Sequence, residues 1–164
     1  MLPGLFLCAL LLGATVPSLL ALPAVPTQVL TGDVYVVTQG SGVSTVNDSL
    51  VQNLSAQPWA GLVSPEILSF TSIEGQPVVV RGAEPGVILA MDRGSWVEGG
   101  PGNATWAALG SGLAVRLGLK PGSFLTLTGS SSPRIALVPF TGIFRTATPS
   151  NDELLVPLSL ARFL

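Results

Sequence analysis

Histidine is absent from this 164-residue chain, and cysteine occurs once, as Cys8. Without histidine there is no Ser-His-Asp triad, no Cys-His pair and no zinc site with His ligands. A single cysteine rules out an intrachain disulfide. Leu5-Phe6-Leu7 also lack the small residue that a lipoprotein signal places before its cysteine, so Cys8 reads as an inert side chain facing lipid or helix. Charge is equally scarce. Only 10% of residues are Asp, Glu, Lys or Arg, against about 25% in ordinary soluble domains. The one lysine and six arginines stand singly, and the net charge is −2. Nucleic-acid binding needs a basic footprint, and none exists here. The mean hydropathy of +0.62 points to a membrane-associated product.

What is present begins with an uncharged apolar run, Leu2–Leu22. About 21 residues at 1.5 Å each span roughly 30 Å, a bilayer's hydrocarbon thickness. Gly13 and Pro17 are tolerable inside a membrane helix. The alternative is a cleaved secretion signal. The length of the run, its lack of a basic n-region and the missing A-x-A site favour an anchor. Residues 1–22 are therefore expected to form a transmembrane helix, 23–31 a linker broken by Pro23 and Pro26, and 32–164 an extracytoplasmic domain.

Asp33–Gln39 is β-branched and aromatic and predicts a strand. Ser44 or Thr45 can cap a helix from about Val46 to Ala56, with Val46, Leu50, Val51 and Leu54 as its apolar stripe. Ala60–Val63 and Glu66–Ile73 predict strands split by Ser64-Pro65. Glu74-Gly75-Gln76 turns the chain into Pro77–Arg81 as a hairpin. Gly82 to Gly102 is rich in glycine and proline and reads as loop, with Val87–Met91 and Trp96-Val97 as its apolar patches. Arg134–Phe144 predicts a long strand bent at Pro139. The loop Thr146–Asn151 then leads to a short strand, Leu154–Val156, and a last helix, Pro157–Leu164. No polar tail follows that helix, so the domain is expected to be incomplete at its C-terminus.

The stretch Trp106–Gly129 organises the rest. Trp106–Leu109 predicts a strand, and Ser111 is placed to N-cap a helix that stacks Leu113 on Leu117. Arg116 suits the carbonyl end, and Gly118 suits the left-handed position that closes a helix. Pro121-Gly122 fits the centre of a type II turn. Beyond it, Leu125 and Leu127 alternate with Phe124, Thr126 and Thr128.

Candidate sites are few. Gly110-Ser111-Gly112 has the look of a phosphate-cradling turn, but Val115 breaks G-x-G-x-x-G and no G-K-[ST] follows, so a helix start is the better reading. Ser111 lies outside any G-x-S-x-G elbow. Asp152-Glu153 after Asn151 lacks an EF-hand frame and reads as a solvated loop or as partner to Arg145. Asp92-Arg93 reads as an ion pair in a turn. Asn47, Asn53 and Asn103 each begin an N-x-[ST] triplet, three of only four asparagines. The triplet is the acceptor pattern for N-linked glycosylation outside the cell, but it is short enough to arise by chance, and chance is the preferred reading. Trp59, Trp96 and Trp106 read as packing residues, and Trp96 is the one to test for partner contact. No catalytic, cofactor-binding or metal-binding residue is assigned.

The segments DVYVVTQGSG, LVSPEI, VVVRGAEP, WVEGG, ALGSGLAVRLGLKPGSFLTLTG and GIFRTATPSNDELLVPLSLARFL follow one another in an order that resembles a MacB/FtsX-type ABC-transporter permease. The match runs from the first membrane helix through the periplasmic core-like domain. The resemblance implies four membrane helices with a mixed α/β domain between the first and second. It also implies a permease dimer partner and an ATP-binding subunit beside it. The second to fourth helices and the coupling loop are not in this sequence.

The expectation is a non-enzymatic α+β module with a mixed sheet and a few short helices, needing no cofactor. An N-terminal transmembrane helix would hold it outside the cell membrane. Its role would be to pass ATP-driven helix movement to substrate export or extraction. The rival is a secreted or soluble double-psi-barrel-like binding domain, whose LGLKPGD-strand unit this chain matches except at Ser123. A secreted hydrolase is disfavoured by the missing histidine and paired carboxylates.

Overall fold

A computed structural model describes residues 46–130 and 132–164 of the chain. The readings for Leu2–Leu22, the linker, Cys8, Asp33–Gln39 and the caps Ser44 and Thr45 lie outside these residues. No helix among the described residues is long and apolar enough to cross a membrane.

The fold is α+β with a mixed sheet of seven strands. The order along the chain is α1 (Asp48–Ser55), β1 (Ile67–Ile73), β2 (Gln76–Gly82), α2 (Pro85–Met91), β3 (Ser95–Gly99), β4 (Ala107–Gly110), α3 (Ser111–Leu117), β5 (Phe124–Thr128), β6 (Ile135–Arg145), a 3-10 turn (Pro149–Asp152), β7 (Leu154–Val156) and α4 (Leu158–Phe163). In space the strands run β1-β2-β7-β4-β6-β3, with β5 also paired to β6. The pairs β2–β7 and β4–β6 are parallel, and the others are antiparallel.

The β1–β2 hairpin forms where expected. Ile73 pairs with Gln76 across a two-residue loop. Glu74 and Gly75 both take positive φ, 52° and 74°, which matches the right-handed strand twist as a type I′ turn does. Long β6 is shared lengthwise. Ile135–Pro139 pairs with β5, and the half from Phe140 onward pairs with β3 and β4. The irregularity in β6 falls at Thr141, between the pairs Ala107↔Phe140 and Ala108↔Gly142, two residues past Pro139. At its far end β5 meets β1: the Thr128 N–H donates to Thr71 Oγ1 at 3.1 Å. The sheet therefore curls on itself.

The concave side holds the main core. Val78, Val80, Leu109, Leu127, Phe140 and Leu154 are fully buried there with Leu113 of α3, and Leu160 of α4 packs beside them. Each such side chain contributes about 1.5–3 kcal/mol by leaving water. On the other face, Ile88 and Leu89 of α2 cover Ala108, Phe144 and Leu155. Strands β4 and β7 are thus buried on both faces, which is why AALG and LLV read as continuous apolar runs rather than alternating ones.

The α3–β5 unit follows its sequence. Gly118 adopts φ 67°. The Leu119 and Gly118 N–H groups reach back to Ala114 and Val115 carbonyls, a Schellman closure. Gly122 takes φ 100° in the turn before β5, and Leu125 and Leu127 point inward.

Four expectations are corrected. The first concerns α1, which starts at Asp48, because the Asn47 side chain accepts the Ser49 N–H at 3.0 Å and caps it there. Ala60–Val63 forms no strand; Pro58 and Pro65 bracket it, and Gly61 weakens it. The supposed loop Gly82–Gly102 contains α2 and β3. Pro85 supplies the fixed φ of a first helical turn, which a count of glycine and proline reads as a breaker. Finally, Ser111 is the first residue of α3 and not its cap. Gly110 holds the cap position.

Helix α4 lies so close to β2 that a Cβ on Gly82 would fall on the Ala161 Cβ. Gly82→Ala should therefore lower stability by about 1–3 kcal/mol in urea unfolding. Ala161→Gly in the same chain should recover part of the loss, giving a non-additive double-mutant cycle.

Candidate functional site

Several polar side chains of the described residues meet around the starts of β1 and β7. Arg81 stands at the end of the PVVVR run. Val78 and Val80 point into the core, and the alternation of β2 sets Arg81 on the opposite side. Glu153 immediately precedes β7, which pairs in parallel with β2. The guanidinium meets its carboxylate with two parallel bonds, Nε to Oε2 at 2.6 Å and Nη2 to Oε1 at 3.0 Å. Nη1 donates to Glu66, just before β1. Arg81 thus ties together the segments leading into β1 and β7.

Burial alone would lower the Arg81 pKa. The hydrogen bonds and charges of Glu153 and Glu66 override that and hold the guanidinium above its ordinary value. A raised basic pKa adds stability that is complete below the unfolded arginine pKa and fades only as pH climbs past it. Arg81 therefore contributes the same amount throughout the neutral range.

Beside this triad, the segment 146–152 folds over the end of β4. The Asn151 Oδ1 accepts both the Ser111 hydroxyl at 2.9 Å and the Thr146 N–H at 3.3 Å. The Ser150 hydroxyl, buried at 3% exposure, donates to Asp92 at the end of α2. The Glu153 carbonyl accepts the Gly110 N–H at 2.9 Å. An added Cβ at Gly110 would strike the Asn151 backbone, and one at Gly112 the Asn151 and Asp152 side chains. These glycines admit the chain's own turn, and the space a phosphate would need is occupied by residues 151 and 152.

Two sequence readings are redirected here. Glu153 pairs with Arg81, not Arg145, and exposed Asp152 lies 3.9 Å from Arg116. Asp92 receives the Ser150 hydroxyl instead of pairing with Arg93, which takes a left-handed φ of 50°. Trp96 and Trp106 pack edge-to-face at 6.5 Å, and Trp96 meets Phe144 at 6.2 Å. Trp59, by contrast, is 71% exposed and packs into no core. Composition gave no warning of the Arg81 triad. The available signal was a lone arginine closing an uninterrupted Val run.

Chemically the assembly is a brace. Ser111 and Ser150 each donate to a fixed acceptor, and neither faces an imidazole. Among the described residues no group of three or more His, Cys, Asp or Glu side chains could hold a metal ion. An open groove of about 550 Å³ lies beyond the carboxyl ends of β2 and β7, where Pro65, Pro85, Pro101 and Pro157 surround Trp106 and Glu84. No protein-family model matches the chain, and no curated protein sequence matches it.

Removing one member of a largely buried ion pair leaves its partner desolvated and unpaired, at a cost of about 3 kcal/mol. Arg81→Met should show a loss of that size in urea unfolding. Adding Glu153→Leu should restore most of it, since the more buried of the two carboxylate partners is then gone and the exposed Glu66 keeps its contact with water. A double variant as unstable as the single one would contradict the brace.

Proposed function

We propose that this chain is a membrane-anchored extracytoplasmic module of an ABC-transporter permease. It carries helix movement outward to the export or extraction of a substrate. A body that transmits displacement must resist shear between its strands. The observation that carries the reading is the Arg81 brace, which joins β1, β2 and β7 across about 70 residues of sequence, closing a loop that constrains their sliding. The doubly buried strands β4 and β7 support the same stiffness. The uncharged Leu2–Leu22 run supports an attachment to the membrane, and the order of segments supports the family. In this reading the module works with a second permease chain and an ATP-binding subunit and catalyses nothing itself.

One observation favours a second reading. The curl that brings β5 against β1 suits a barrel-like binding domain that is secreted or soluble. Alkaline carbonate extraction separates the two. The full chain should stay in the membrane pellet, and release into the supernatant would sink the permease reading and favour the barrel.

A further inference from the structure

Three Asn-x-Ser/Thr triplets are present, and the fold treats them differently. Asn47-Asp48-Ser49 straddles the start of α1, where the Asn47 side chain is the cap. Asn53-Leu54-Ser55 is entirely helical, and the Ser55 hydroxyl donates to the Val51 carbonyl at 2.9 Å. Asn103-Ala104-Thr105 lies in neither helix nor strand, and all three residues are exposed on the connection between β3 and β4. A transferase must draw such a triplet into an extended shape and read both its amide and its hydroxyl. An exposed connecting segment yields to that, whereas a capped helix must first unwind.

We infer that Asn103 is a site of N-linked glycosylation. The inference rests on the extracytoplasmic placement proposed above. The co-reactant is an oligosaccharide linked to a lipid phosphate or diphosphate, used by a membrane-bound transferase. The Asn103 Nδ2 forms a bond to the anomeric carbon of the first sugar. The bond from that carbon to the phosphate oxygen breaks, and the lipid phosphate leaves with the electron pair. One Nδ2 proton passes to a base of the transferase.

The surroundings give the modification a physical role. Ala104 and Thr105 line a groove of about 370 Å³ with Ile135, Leu137 and Phe163. Ile135 and Leu137 remain 64% and 66% exposed. They belong to a β5–β6 ribbon whose residues 124–128 and 135–144 include no charged side chain. Apolar patches of this kind favour association. A glycan rooted at Asn103 is bulky and solubilising, and it stands at the rim of that surface.

The test uses the full chain made in a cell that performs N-glycosylation, with an Asn-Ala-Thr tag added after Leu164. Cleavage after Arg93 and Arg116 isolates Gly94–Arg116, which contains Asn103 and no other triplet. Mass spectrometry should find hexose and N-acetylhexosamine increments on that peptide, and Asn103→Gln should abolish them. A modified tag with a bare Gly94–Arg116 peptide would overturn the assignment while leaving the extracytoplasmic placement intact. Both positions bare would overturn the assignment and count against the placement as well.

Discussion

The bidentate contact between Arg81 and Glu153 is the constraint on which the rest of this fold depends. The strands it joins carry almost no other charge. A partly buried guanidinium on an otherwise uncharged stretch of sheet must be neutralised by carboxylates aimed at it, or it would not remain there. That requirement fixes where Glu153 lies. With Glu153 fixed, the parallel register of β7 on β2, Arg81 opposite Leu155, follows within two residues. β7 in turn fixes β4, which it meets through Ala108↔Leu155 and Leu109↔Leu154. The middle of the sheet is thus aligned from one polar contact, and the apolar packing on both faces holds what that contact selects.

Close approach of backbone to backbone is the second constraint, and it explains the glycines of the central stretch. Gly110 and Gly112 flank the first residue of α3, where side chains would push the 149–152 turn away. The turn must reach that spot for Asn151 to accept from Ser111 and Thr146 together. At Gly82 a similar close approach seats the apolar Ala161 of α4 on β2. Small residues here do not mark flexibility or a ligand. They set the separation at which polar groups of one segment satisfy those of another, as buried backbone groups require.

Much of this was legible in the sequence wherever the information is local. Glu74-Gly75 wrote its own turn, Gly118 its own helix end, and Leu125 and Leu127 their own face. Reading failed where the deciding partner is distant. Ser111 looks like a cap because its neighbours fit one. The residue that redirects its hydroxyl, Asn151, is forty positions away. Helix α2 was hidden because Pro85 and Gly86 resemble breakers, and the apolar faces that stabilise it come from β4, β6 and β7. The role of Glu153 was invisible for the same reason: a carboxylate in a polar loop carries no mark of the arginine that will bury it.

The remaining arginines show how a sequence poor in charge distributes it. Arg116 and Arg162 occupy the last turns of α3 and α4, where positive charge suits the carbonyl end. Arg134 donates to the Phe163 carbonyl at 2.7 Å and lies over its ring. Their carboxylate contacts, Asp152 for Arg116 and Asp48 for Arg162, are exposed, and such pairs contribute only about 0–1 kcal/mol. Salt weakens them readily, because water and ions reach them. The Arg81–Glu153 contact is partly buried and therefore better shielded from both, while Glu66 at its edge stays exposed. Electrostatic control of this body is therefore concentrated at one place, the junction of β1, β2 and β7. A load applied to the domain would meet its charged resistance there, and elsewhere it would meet neutral hydrogen bonds such as Thr128 to Thr71 and packed hydrocarbon.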